Sequence, residues 1–167
     1  MKRYIKSAIR SITDESFEDQ LRWANNDVTD SRTLDQLSYS EDMWIRDEVA
    51  DNPNASPDTL RRLSEDISLG VRSSVARNPN TPTDILYKLL NDPDRDVRVR
   101  LTKNPNCPAD IVSALSHDPE AVIRYELLCS AVVDVSEEDV MRLCNDPASY
   151  VANLAKHVAK KRGYINS

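Results

Sequence analysis

The chain has 167 residues, enough for one domain or a short repeat array. Hydrophobic residues are 40% and charged residues 30%, which excludes compositional disorder. The formal net charge of −6 weakly opposes nucleic-acid binding by the whole surface, although local basic faces remain open.

Other bounds follow from single residue types. Only 2 glycines accompany 9 prolines. Scarce Gly argues against a sheet of tight hairpins, and regularly spaced Pro suggests short helices with fixed starts. Cys107, Cys129 and Cys144 show no C-x-x-C pairing, so free thiols in a reducing compartment are expected. No apolar run approaches the roughly 18 residues of a membrane span. Met1–Ile12 is charged throughout and lacks a signal-peptide apolar region, so the expected location is the cytoplasm.

In chain order, Tyr4, Ile5, Ala8, Ile9 and Ile12 have helical spacing and read as an amphipathic capping helix. Ser16 then starts a second helix, with Asp19 as its capping-box partner. From Trp23 onward the chain repeats every 26 residues. Asn52-Pro53-Asn54 returns as Asn78-Pro79-Asn80 and Asn104-Pro105-Asn106. Ile45-Arg46, Val71-Arg72, Val97-Arg98 and Ile123-Arg124 keep the same step. So do Leu34 and Leu37 with Leu60 and Leu63, Leu86 and Leu89, and Val112 and Leu115. The pattern continues with two extra residues at Val140, Leu143 and Asp146-Pro147.

Each unit reads as two short helices. The first follows Asp92-Pro93, with Asp as N-cap, and stops before Asn104-Pro105. The second follows Thr81-Pro82, with Thr81 as cap. Helices of about ten residues are not stable alone in water, so stability must come from stacking. Val151, Leu154, Ala155 and Val158 form a last stripe, and Lys156, His157, Lys160, Lys161 and Arg162 cluster near its C-terminal end. The expected organisation is N-terminal capping helices over 1–23, a repeat array over 24–150, and a C-terminal capping helix with a basic tail over 151–167.

The string from Val71-Arg72 through Val75-Ala76-Arg77-Asn78-Pro79-Asn80-Thr81-Pro82, Leu86, Leu89 and Asp92-Pro93 to Val97-Arg98 resembles the leucine-rich repeat variant family. The resemblance spans roughly residues 24–155. It implies an all-α fold, a right-handed α-solenoid of about five two-helix repeats, in which α-helices can alternate with 3₁₀ helices. The founding type carries an N-terminal iron–sulfur segment held by a cysteine cluster. Residues 1–30 here contain no cysteine, so no cofactor is carried over. HEAT-type repeats are a neighbouring resemblance. They stack an Asp and an Arg six apart as a ladder between repeats. The pairs here are Asp66 with Arg72, Asp92 with Arg98, and Asp118 with Arg124. Arg46 follows Ser40 instead, Asp146 precedes Ala152, and Gln20 stands one step before Arg46.

The arginine column reads either as an anion track or as bridges between acidic groups of adjacent repeats. The Asn52, Asn78 and Asn104 column reads either as a ligand reader or as helix ends. Trp23 falls in the column of Val49, Val75 and Leu101 and is expected in the core. Tyr39, Met43 and Trp44 are apolar or aromatic where the repeat makes no such demand. They are partner-binding candidates, unless they pack under the N-terminal cap. Arg61, Arg62, Arg77, Lys88, Arg100 and Lys103 form a basic set interrupted by acids. His117 and His157 make no metal site, and two glycines allow no phosphate loop.

Three functions are consistent with these features. One is a non-catalytic scaffold for a protein or peptide partner. The second is a HEAT-like DNA-binding or DNA-repair protein. The third is an inhibitor or immunity-type binder of a basic partner, acting through the acidic N-terminal third.

Overall fold

The computed structural model describes residues 15–166. The expected capping helix Tyr4–Ile12 lies outside the described residues. Among those described there are eleven α-helices, one short 3₁₀ turn and no strand. First-type helices are α1 (Phe17–Ala24), α3 (Met43–Asp51), α5 (Leu69–Arg77), α7 (Arg95–Arg100), α9 (Ala121–Cys129) and α11 (Ser149–Lys161). Second-type helices are α2 (Ser31–Leu37), α4 (Pro57–Leu63), α6 (Thr83–Leu89), α8 (Ala109–Ser116) and α10 (Glu137–Leu143). The fold is therefore an all-α repeat of the solenoid class.

The chain divides into two compact units, Met1–Pro82 and Thr83–Ser167. In the first, α3 packs against α1 and α5, and against its neighbours α2 and α4. In the second, α9 packs against α7, α8 and α11, and α10 against α11. The cores are the repeat's apolar columns. Leu34, Leu37, Leu60 and Leu63 are buried in one unit; Leu86, Leu89, Val112, Leu115, Val140 and Leu143 in the other. Ile45 and Val71, then Val97 and Ile123, supply the first-helix stripes. Two extra residues before α10 are absorbed in the 130–136 loop, which buries Val133 and Val135.

Several helix starts follow short polar caps, which satisfy orphan amides of the first turn. Ser16 accepts from the Asp19 amide, Ser56 from Thr59, and Ser136 from Asp139. Gly163 closes α11 with φ of 76°, and Tyr164 N–H reaches the Ala159 carbonyl at 2.9 Å, a left-handed C-terminal cap open to Gly at no steric cost.

Two local expectations are corrected. Helix α7 starts at Arg95 with Asp94 as its N-cap, not at Pro93 with Asp92. The Asp92 carboxylate accepts from the Asp94 amide at 2.9 Å, which turns the chain two residues earlier. The Thr81 hydroxyl donates back to the Val75 carbonyl at 2.6 Å, tying the turn to the preceding helix. Alternation of α and 3₁₀ helices is not seen among the described residues. Both helices of a repeat are α, and the 3₁₀ stretch is Leu101–Lys103, the last turn of the α7 segment.

Candidate functional site

The arginine column forms bidentate bridges between repeats. Arg46 Nε and Nη2 donate to the two Asp66 oxygens at 2.6 and 3.0 Å. Arg98 does the same to Asp118 at 2.8 and 3.2 Å, and Arg124 to Asp146 at 2.7 and 2.8 Å. The ion-pair partner is thus the acid 20 residues ahead, or 22 past the insertion, rather than the acid six residues behind. The residue six behind contributes its carbonyl: Ser40, Asp66, Asp92 and Asp118 accept from Nη1 of Arg46, Arg72, Arg98 and Arg124 at 2.6–2.9 Å. Each ladder acid also accepts an amide two residues on, as Asp66 does from Ser68 at 2.9 Å. Asp146, which begins the last pair, belongs to this ladder although Ala152 follows it. At the other end Gln20 replaces arginine, and its carboxamide oxygen accepts from the Ser40 hydroxyl at 3.5 Å.

These geometries shift protonation. The Arg124 guanidinium holds the Asp146 carboxyl below its ordinary 3.8, against the effect of burial. At Asp66 burial pushes upward, but Arg46 and the Ser68 amide outweigh it, and the net shift is downward.

The asparagine column makes a second ladder that spacing alone did not reveal. Asn52 Nδ2 donates to the Ala24 and Asn26 carbonyls at 2.8 and 3.0 Å, and Asn78 Nδ2 to Ala50 and Asn52 at 2.8 and 2.9 Å. The same side chains accept from the amides of Asn54 and Asn80, both at 2.8 Å. Ser130 takes the position after Asn104, and its hydroxyl reaches Thr102 O at 2.6 Å.

Half of the basic set is matched by acids of adjacent repeats. Arg62 pairs with Asp35 at 3.1 Å, Arg77 with Asp51 at 2.5 Å, and Lys103 with Glu126 at 3.0 Å. His117 and His157 are exposed, with His117 Nδ1 2.9 Å from Ser113 O. Burial, reinforced by Asp110, pushes the Cys107 thiol up to about 12. Among the described residues no His, Cys, Asp or Glu cluster could hold a metal ion. No described helix is long and apolar enough to cross a membrane.

Tyr39, Met43 and Trp44 lie together where α2 ends and α3 begins, and they are 64%, 45% and 59% exposed. Tyr39 is held by Arg62, whose guanidinium carbon lies 3.8 Å from the ring centroid and whose Nη1 donates to the hydroxyl at 2.7 Å. The Ser68 hydroxyl contacts Met43 Sδ at 4.0 Å. The Trp44 side chain has no hydrogen bond or ring contact among the described residues. Asp42 caps α3 through the Trp44 amide at 2.8 Å, fixing where the indole leaves the helix. An open cleft of about 800 Å³ adjoins the group, lined by Phe17, Tyr39, Glu41, Asp42 and Ile45 among others.

Sequence reasoning missed two members of this surface. Phe17 and Leu69, at the Met43 position of α1 and α5, are 42% and 46% exposed. The signal was present: the column reads Phe17, Met43, Leu69 and then turns to Arg95. Trp23, expected in the core, is 44% exposed, and its indole N–H donates to Glu15 at 3.2 Å. Helix α1 has a described first-type neighbour on one side, α3, whereas Val49 sits between two, so the equivalent slot is half open.

Three comparisons bear on these features. The family model described as leucine rich repeat variant matches residues 69–94, from the start of α5 to the Asp94 cap of α7. None of the curated proteins matches. A solved structure described as a leucine-rich repeat variant with a novel repetitive protein structural motif matches at 23% identity and a TM-score of 0.66. The match covers 89% of this chain and 59% of that one, so this chain spans little more than half of its length. At that identity the likeness concerns the fold. The matched unit is similar to the leucine rich repeat variant, and the Val-Arg, Asn-Pro-Asn and Asp-Pro columns carry a like pattern into the neighbouring units.

Proposed function

We propose that the protein is a non-catalytic repeat scaffold of the cytoplasm that binds a protein or peptide partner through Tyr39, Met43 and Trp44. The observation that carries this reading is Trp44: a large side chain, 59% exposed, at a position the repeat elsewhere fills with Gly70, Asp96 or Val122. Exposed aromatics clustered beside a cleft are the usual anchors of protein interfaces. The arginine and asparagine columns are occupied with joining repeats, which supports architecture rather than ligand reading. Basic side chains neutralised by neighbouring acids favour a protein partner over nucleic acid. Exposed, separated histidines and a thiol held protonated support the absence of catalysis.

The test is affinity capture from the native cell with wild-type protein and with a Tyr39→Ala/Trp44→Ala variant. The expected result is loss of a specific partner with the variant, while Trp44→Ala alone shifts stability by no more than about 0.5 kcal/mol. Undiminished capture, or collapse of the fold by Trp44→Ala, would reject the reading.

A further inference from the structure

Helix α3 turns one mixed face outward. Met43, Trp44, Asp47, Glu48 and Asp51 stand at helical i, i+3 and i+4 spacings, opposite the buried Ile45, Val49 and Ala50. The N-terminal end of this face is apolar and the C-terminal half is acidic. Phe17 and Leu69 extend the apolar end onto the helices on either side of α3.

The charge around it is one-sided. Residues 15–82 hold seven arginines and no lysine against fourteen Asp and Glu, a formal charge of −7. Several of those arginines are already engaged: Arg46 with Asp66, Arg62 with Asp35, Arg77 with Asp51 and Arg22 with Asp19. Glu18, Glu41 and Glu48 form no ion pair among the described residues. Asp47 is met by the neutral Ser74 hydroxyl at 2.6 Å. Burial first, then the neighbouring Asp47 and Asp51 charges, raise the Glu48 carboxyl above its ordinary value, as expected where negative charge is crowded and uncompensated.

We propose that the occupant of this face is a cationic amphipathic segment of a partner protein, its bulky apolar residues set against Phe17, Met43 and Trp44 and its Lys or Arg residues against Glu41, Asp47 and Glu48. The proposal rests on the scaffold reading above and narrows it to a partner chemistry. Complementary charge favours such a segment and disfavours acidic peptides, nucleic acid and anionic lipid surfaces, all of which this face repels.

The experiment titrates the isotope-labelled full-length protein with two synthetic helical peptides of about 14 residues, one Leu/Lys and one Leu/Glu. The expected result is binding of the Leu/Lys peptide alone, with shifts at the Trp44 indole and along α3, weakening as salt screens the charges. Trp44→Ala and Glu41→Gln/Glu48→Gln should each weaken it by about tenfold or more. Equal binding of both peptides, no binding at low salt, shifts confined elsewhere, or indifference to both variants would overturn the proposal. Self-association through Trp44 in sedimentation would make a second copy the occupant and also overturn it. So would binding seen only in a full-length variant with Lys2→Gln, Arg3→Gln, Lys6→Gln and Arg10→Gln, since the chain's own basic segment would then hold the face. If cellular capture depends on Tyr39 and Trp44 but the Leu/Lys peptide does not bind, the partner chemistry alone is wrong. If capture is independent of them, the scaffold reading itself falls.

Discussion

Replacing Arg124 with Ala strikes the ladder where it is most enclosed. The side chains of Arg124 and Asp146 are 10% and 2% exposed, and the guanidinium meets both carboxylate oxygens. It also donates to the Asp118 and Pro119 carbonyls at 2.6 and 3.1 Å. Deleting it leaves two carbonyls without that donor. It also leaves a carboxylate shielded from water, compensated by the Ala148 amide at 2.9 Å. Breaking a buried pair in this way costs about 3–5 kcal/mol. At about 2–4 °C per kcal/mol for a chain of this size, Tm should fall by roughly 6–20 °C in calorimetry. Replacing both partners by apolar residues, as in Arg124→Met/Asp146→Leu, should recover much of that loss, with a coupling of about 1 kcal/mol or more. A loss under about 1 kcal/mol, the worth of an exposed ion pair, would refute the reasoning. Strict additivity of the two single substitutions would refute it equally.

Asn78→Asp is nearly isosteric, yet it sets a carboxylate against the Ala50 and Asn52 carbonyls without a donor. It should cost more than Asn78→Ala, itself about 2 kcal/mol, by urea midpoint; the reverse order would contradict the ladder. The acid side follows from Asp66, Asp139 and Asp146, all held below 3.8. A lowered folded value means stability that is fully present above 3.8 and lost as pH falls below it through the folded values, so unfolding against pH should show its slope there and not between pH 5 and 7. Glu48 has the opposite sign, since its raised folded value makes the ionised form unfavourable at neutral pH; Glu48→Gln should therefore raise Tm slightly. In native alkylation followed by mass spectrometry, exposed Cys129 should react first, with Cys107 and buried Cys144 protected until the chain unfolds.

The periodic columns made the core legible, because a buried position repeats its size requirement in every unit. Leu37, Leu63, Leu89 and Leu115 stand one repeat apart, and all four are buried. What one sequence conceals is which atom of a recurring residue is used. Asp66 and Arg72 recur six apart, which suggests a pair within one repeat. The fold instead gives Arg72 the Asp66 carbonyl and gives the carboxylate to Arg46. Asparagine's turn-forming habit was visible, but its amide group reaching back a whole repeat was not, since that reach depends on how closely the turns stack. Trp23 misled because a column assumes neighbours on both sides, and among the described first-type helices α1 has α3 alone. At the candidate surface, Tyr39, Met43 and Trp44 were legible as violations of the repeat. Phe17 and Leu69 share the Met43 column, so the same comparison along the repeat reaches them as well.

The two ladders point opposite ways along the chain. Asn78 finds its acceptors at Ala50 and Asn52, 28 and 26 residues behind it, already synthesised when it emerges. Arg46 must wait for Asp66, 20 residues ahead. At about 5–20 residues per second on the ribosome, that wait is roughly 1–4 s. Each nascent repeat can thus clasp its predecessor at once through amides, while its guanidinium stays unpaired until the next repeat arrives, so growth leaves a charged, unfinished edge that the following unit closes.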